Sequence, residues 1–291
     1  VRFAVTVLCP PGYQHWEAFK EVAVTVHLAL QRLGHDSVLT HELRLPGRRH
    51  IIFGSNLLAH HPNPTDAFPE NAILYNLEQI SPDSQWITQG LLDVFRKHTV
   101  WDYSARNIAE LERMGVGGVS HVPIGYVPEL ERMQPMAEED IDVLFIGSLN
   151  ERRIAPIRRL ALDGLNTVVR FGLYGEARDA LLARAKIVLN VHFYQSQVFE
   201  IVRVSYLLAN SRFVVSEHSC DTEEEDQFAT GLVFTDYAEI ADTCRYFVQR
   251  PDERRARAEA GRALMRSKPA TDFLRPAIAA CGDSSRDHAI G

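Results

Sequence analysis

Short apolar runs alternate along the chain with longer segments whose apolar positions recur at helical spacing, and one such passage organises the rest. Ile187-Val188-Leu189-Asn190-Val191 has the length and β-branched character of a buried parallel strand. The chain then turns polar through His192, Tyr194, Gln195, Ser196 and Gln197. From Phe199 onward Val202, Tyr206 and Ala209 recur at three- and four-residue spacing, which predicts a helix from Ser196 or Gln197 to Asn210. Phe213-Val214-Val215 follows as another strand. Strand, loop, helix and strand make a right-handed crossover whose loop lies at the carboxyl end of a strand, where open α/β sheets bind ligands. The N–H groups of Ser196, Gln197, Val198 and Phe199, at the predicted helix start, suit an anion, and phosphate is the natural candidate. Arg203 stands one turn after Glu200, and Asn190 and His192 leave the strand on one side. The same residues also describe an ordinary βαβ unit with a surface Glu200/Arg203 pair of little value.

The remaining pattern repeats this alternation on both sides. Strands are predicted at 2–8, 37–40, 51–54, 72–76 and 99–103, with helices at 15–32, 90–97 and 105–113 and a closing strand and turn at 120–126. Gly34 is placed to supply a left-handed cap to the first helix. Residues 128–140 carry two prolines and many charges without apolar rhythm, which makes them the best linker. A second series follows, with strands at 142–149, 167–171 and 232–234 and helices around Ile157 and Leu160, over 177–185, over 237–249 and from Glu253 to Arg266. The acidic run Glu223 to Asp226 reads as a solvated face, and the tail from Gly282 as disordered. The expected fold is therefore α/β, with two Rossmann-like domains over residues 1–130 and 131–291.

Composition narrows the partners. With 291 residues, 46% hydrophobic and 24% charged, the chain is long enough for two cores. A net charge of −7 gives no general attraction to nucleic acid or anionic lipid, although a local basic cleft still suits a phosphorylated ligand. No run approaches a membrane span, and 1–10 is too short and strand-like for a signal peptide, so a cytoplasmic protein is expected. The cysteines Cys9, Cys220, Cys244 and Cys281 lie too far apart for a zinc cluster or disulfide framework. His60-His61 stands in a Pro-rich loop, and no histidine pair has metal spacing backed by carboxylates; no metal is expected.

The phrases IGSLNERR, LNVHFY, FEIVRVSYLLAN and VVSE resemble those of group 1-like bacterial glycosyltransferases of the GT-B fold, and the resemblance spans about residues 1–265. It implies an N-terminal acceptor-binding domain and a C-terminal nucleotide-sugar-binding domain facing across a cleft, with the charged helix from Glu253 near their junction. It implies transfer of a sugar from a nucleotide-activated donor to a hydroxyl of a small molecule or glycan, in polysaccharide or natural-product glycosylation, with no cofactor beyond that co-substrate. Arg152 or Arg153, together with Arg203 and the N–H groups of Ser196 to Phe199, would stabilise the departing diphosphate in place of a metal. Gly147 and Ser148 would admit the ligand close to the backbone, Asn150 and His192 would line the same site, Tyr174 in the loop 172–175 would receive the base, and Glu200 would accept from sugar hydroxyls. In the first domain His15, Glu17 and Glu78 are candidate bases for the acceptor oxygen. One departure concerns the ribose: many retaining members carry a second glutamate eight positions on, and here that place falls on Leu208, or near Ser205 or Tyr206 by counting back from the following strand. A nucleotide-sugar epimerase and a non-catalytic nucleotide-sugar sensor on the same plan are the rival readings.

Overall fold

The computed structural model describes residues 1–58, 67–133 and 138–283. His60-His61, the middle of the expected linker and the tail beyond 283 lie outside the described residues. The chain forms two compact units, Val1–Val127 with Pro269–Gly291, and Pro128–Lys268.

The first unit is built on a six-stranded parallel sheet ordered β2-β1-β3-β4-β5-β6. Its strands are β1 (Arg2–Val7), β2 (Asp36–Thr40), β3 (Arg49–Phe53), β4 (Ile73–Asn76), β5 (Thr99–Asp102) and β6 (Ser120–His121). The first helix opens as a 3-10 turn, Gln14–Phe19, and becomes α-helical as α1 over Lys20–Arg32. Gly34 at φ +81 ends α1, with His35 N–H donating to Leu30 O at 3.0 Å and Gly34 N–H to Gln31 O at 3.0 Å. That is the two-bond C-terminal cap which glycine makes accessible. Helices α2 (Gln89–Lys97) and α3 (Ala105–Arg113) start where Thr88 and Ser104 accept from backbone N–H groups. Phe53, Tyr75 and Trp101 stand in register across β3, β4 and β5 with ring centroids 5.3 and 5.9 Å apart. Below them Ile52, Leu74, Val100, Leu91 and Phe95 form the core.

The second unit holds a five-stranded parallel sheet ordered β11-β10-β9-β7-β8. Its elements are β7 (Ile141–Ile146), α4 (Glu151–Leu162), β8 (Thr167–Arg170), α5 (Gly175–Arg184), β9 (Ala185–Asn190), α6 (Ile201–Ala209), β10 (Val214–Glu217), α7 (Thr222–Asp226), β11 (Val233–Thr235), α8 (Ile240–Val248) and α9 (Pro251–Arg266). Val143, Phe145, Ile187, Leu189 and Val215 fill its core with Ile157 and Leu160 of α4 and Ile240 and Cys244 of α8. Two parallel sheets with covering helices are the expected α/β class.

Three expectations are corrected. The second half does not keep residues 269–283: α10 (Ala270–Asp283) packs on α1 in the first unit, and Gly282 begins no coil because it lies inside this helix. The returning chain is fixed at Tyr126, whose carbonyl accepts from Ala270 N–H at 2.9 Å. Gly125 permits that approach, since a Cβ there would lie 2.4 Å from Ala270 Cα. Just before that return, the charged helix α9 packs on α6 and α8 and ends at Arg266, next to the boundary between the units at Lys268. Finally, the acidic run is the short helix α7, and Glu225 is buried, where it accepts from Ser219 N–H and meets His218 Nδ1 at 2.7 Å.

Candidate donor site and a second polar cluster

At the carboxyl ends of β7 and β9 the chain gathers three arginines and two glutamates. The first two arginines arrive through the start of α4, where Asn150 accepts from Arg153 N–H at 3.0 Å and so begins the helix directly after Gly147-Ser148-Leu149. Arg153, 5% exposed, donates to Val191 O at 2.8 Å, Ser148 O at 3.0 Å and Glu200 at 2.9 Å. Its guanidinium lies 5.4 Å from the Phe145 ring and 5.1 Å from that of Phe193. Arg152 forks onto Glu217 and also donates to His192 O at 3.3 Å. Pro156 one turn on has no N–H, so the Arg152 carbonyl has no helical partner. The Tyr237 hydroxyl donates to it at 2.7 Å, and the Arg152 guanidinium lies 4.6 Å from that ring. One proline thus ties α4 to the segment after β11.

Arg203 donates to Ile146 O at 2.9 Å, to Asn190 and to Glu200, binding the ends of β7 and β9 to α6. Gly147 lies beneath it at φ +157, and a Cβ there would stand 3.1 Å from Arg203 Nη1. Asn190 is held in turn by donating to Ser216 Oγ at 2.9 Å. The Glu200 side chain is 12% exposed, so its pairing with Arg203 is no surface bridge. Burial acts to raise the Glu200 carboxyl, but Arg203 and Arg153 overcome it and hold the group below its usual range. Burial also pulls Arg153 down to about 10, against the opposing pull of Glu200. Hydrogen bonding to Glu217 raises Arg152. His192 is fully buried, its Nδ1 lies 3.9 Å from Glu200 Oε1, and neither ring nitrogen has a hydrogen-bond partner. Burial lowers this imidazole, although Glu200 and Glu217 act the other way.

The helix after this loop starts later than its apolar spacing predicts. Gln197 adopts φ +48 and Glu200 stands outside the helix as its N-cap, so α6 begins at Ile201. Ser196 to Phe199 therefore belong to a loop and present no helix N-terminus. Val198 and Phe199 turn into the core, the latter against Phe228 and Phe234, which leaves only their backbone for a ligand. Gln197 donates to Glu217 at 3.1 Å, and the His192 N–H does so at 3.1 Å. Glu217 is the principal residue the sequence reading missed; its signal was a carboxylate at the carboxyl end of a strand beside β9. Tyr174 is the N-cap of α5, with Gly175 at φ +58 behind it. Where a second glutamate is expected, Leu208 and Ser205 are buried, and the Tyr206 hydroxyl donates to Asp179 at 2.7 Å and accepts from Arg132 at 2.8 Å.

In the first unit a separate cluster forms at the carboxyl ends of β4 and β5. Asp102 is fully buried and accepts from Asn76 at 2.6 Å, Ser104 N–H at 2.8 Å and Asn107 at 3.1 Å. The two asparagines also hold the Glu78 backbone, its carbonyl at 2.8 and 3.0 Å and its N–H at 3.2 Å. Burial raises Asp102 to about 7, the hydrogen bonds opposing it. Tyr13 packs edge-on against His15 at 5.3 Å and Trp86 at 6.2 Å, and burial followed by the charge of Glu78 raises its hydroxyl. A pocket of about 560 Å³ opens along the loop Cys9 to Trp16. His15 and Glu78 are thus both beside Tyr13, whereas Glu17 lies in the 3-10 turn, where its carbonyl accepts from Lys20 N–H. Among the described residues no group of three or more His, Cys, Asp or Glu is placed to hold a metal, and no helix is long and apolar enough to cross a membrane.

Residues 131–271 match the family described as glycosyl transferase-like. The chain is 30% identical over 191 residues to protein L140 of Acanthamoeba polyphaga mimivirus, a match spanning 61% of this chain and 59% of that protein. It thus covers less than two thirds of that curated relative. Among solved structures, WaaG, a glycosyltransferase involved in lipopolysaccharide biosynthesis, superposes with a TM-score of 0.60 at 11% identity, covering 95% of this chain and 98% of the other. Anabaena HepE in complex with UDP and glucose gives 0.60 at 11% identity over 96% and 98%. AviGT4, a glycosyltransferase involved in avilamycin A biosynthesis, gives 0.57 at 16% identity over 96% of each chain. The bacterial origin implied by the sequence phrases gains nothing from the viral relative.

Proposed function

From a chain that has the GT-B fold and belongs with the group 1-like glycosyltransferases, its residues 131–271 matching the glycosyl transferase-like family, we propose an enzyme that moves a sugar from a nucleotide-activated donor to an acceptor hydroxyl. The observation that carries this reading is the cluster of Arg152, Arg153 and Arg203 with Glu200 at the carboxyl ends of β7 and β9, where open α/β sheets receive phosphorylated ligands. The UDP held by HepE supports a nucleoside diphosphate as the ligand class.

In this reading the bond from the sugar to the diphosphate breaks, its electron pair stays on phosphate oxygen, and the new bond forms to the acceptor oxygen. The guanidiniums stabilise the charge that develops on the leaving group. Arg203 is the most accessible of those paired with Glu200, at 29% against 6% for Arg153, and engages the phosphates first. Gly147 brings backbone to the ligand, and Ser148 and Asn150 line the same edge. Tyr174 receives the base. Glu200 accepts from sugar hydroxyls, and Glu78 or His15 takes the acceptor proton. No metal or further cofactor takes part, and the enzyme works in the cytoplasm on a small molecule or glycan.

The test is release of nucleoside diphosphate from a panel of nucleotide sugars with and without candidate hydroxyl acceptors. Acceptor-dependent release supports transfer. Isomerised donor without acceptor supports an epimerase, and donor binding with no turnover across the panel supports a sensor.

A further inference from the structure

The charges around His192 do not balance the ligand the site is built for. On α4 stand Arg152 and Arg153, at the N-cap of α6 Glu200 and on that helix Arg203, and on β10 Glu217. Three guanidiniums facing two carboxylates leave one positive charge, whereas the diphosphate of a nucleotide sugar is a doubly charged anion. Among these groups the imidazole of His192 is the remaining one able to change its charge near neutral pH. It is fully buried, so it cannot itself reach a ligand, and its ring nitrogens have no partner. Its Nδ1 nevertheless lies 3.9 Å from Glu200 Oε1, whose carboxylate also receives Arg203 and Arg153.

We propose that His192 is the charge reserve of this site: when a diphosphate draws Arg203 away from Glu200 Oε2, His192 takes up a proton from solvent and restores the lost positive charge at Oε1 of the same carboxylate. The inference rests on the donor reading above and adds to it a positioning residue that acts through Glu200. The exchange costs little movement, because closing 3.9 Å to hydrogen-bond distance needs only a small shift of one side chain. Burial, which lowers the free imidazole, holds it neutral until the anion arrives, and the vacated carboxylate then favours the imidazolium. The binding of donor and proton are therefore linked, and donor affinity falls as pH rises, by about tenfold per unit between the free and bound imidazole pKa values.

The experiment is calorimetric titration of UDP-glucose, GDP-mannose and ADP-glucose into the full chain at pH 7, in buffers of low and high ionisation enthalpy. These donors carry no phosphate that titrates near neutrality, so any proton taken up belongs to the protein. The expected result is uptake approaching about one proton per bound donor, abolished in His192→Gln and retained in His218→Gln, which removes the other histidine of the second unit. If His192→Gln does not fold, ¹⁵N signals of the parent's histidines decide instead, one neutral imidazole becoming an imidazolium on saturation. Binding with no proton uptake, or uptake that persists in His192→Gln, overturns the proposal. Absence of binding by every donor overturns the donor reading itself, and with it this inference.

Discussion

The two units each bury a carboxylate at the carboxyl edge of a parallel sheet, and the two groups respond in opposite ways. Glu200 faces Arg153 and Arg203 and is held below its ordinary range despite burial. Asp102 is surrounded by Asn76, Asn107 and the Ser104 N–H, and burial raises it to about 7. Amide dipoles satisfy a carboxylate's hydrogen bonds but return less of its desolvation cost than a full positive charge does. The first unit therefore holds a shape-fixing cluster, built on amide donors and not on guanidiniums, that clamps the backbone of Glu78. The second holds a charged one whose arginines have competing anionic partners, which suits binding and release of an anion.

The sharpest break of this contrast is Arg153→Ala. It strips a buried partner from Glu200 and the Val191 and Ser148 carbonyls of their donor, and should cost about 3–5 kcal/mol of stability in denaturant unfolding. An Asp102→Asn variant tests the other side through pH. A carboxyl raised from about 3.9 in the unfolded chain to about 7 when folded binds more protons in the native state. Its stabilising contribution is thus complete below pH 4 and lost as pH rises through 7, on the order of 4 kcal/mol at most. The parent's unfolding free energy should carry that decline between pH 4 and 7, and the variant's should not. Glu200, being depressed, contributes in the opposite sense, with stability lost only as pH falls through its folded value. Arg203→Ala removes a charge-assisted hydrogen bond worth about 1.5–3 kcal/mol, so nucleoside diphosphate should bind about 10-fold to 150-fold more weakly while the fold melts within a few degrees of the parent. Unchanged affinity in a folded variant would end the phosphate assignment. The smallest effect expected is that of EDTA, which should leave turnover intact; loss restored by magnesium or manganese would sink the metal-free reading.

Most strands and helices were legible because each alternates apolar runs of strand length with helical spacing, and the Gly34 cap was readable from one residue. Of the candidate site, Arg153, Glu200, Arg203, Asn150 and Gly147 lie together at the strand ends of the second unit. The start of α6 was misread because the apolar positions of Phe199 and Val202 fit a helix equally well whether or not Gln197 is left-handed. Besides a local bond from its N–H to Tyr194 O, Gln197 is held by its side chain on Glu217 and its carbonyl on Cys220 N–H, twenty or more residues away. The last helix carries Leu274, Ala277 and Cys281 at helical spacing, but Pro276 interrupts that rhythm.

What the sequence by itself determined is the set of local preferences: which segments are strands, which are helices, and that polar groups cluster at strand ends. What only the tertiary structure decided is which of those polar groups share a charge environment. Glu217, Asp102 and Asn107 are ordinary residues along the chain. They acquire their roles because parallel strands bring carboxyl ends together across long sequence separations, where burial makes every neighbouring charge count. The return of α10 to the first unit was decided in the same way, by a glycine at 125 that lets Ala270 approach from 145 residues further along the chain.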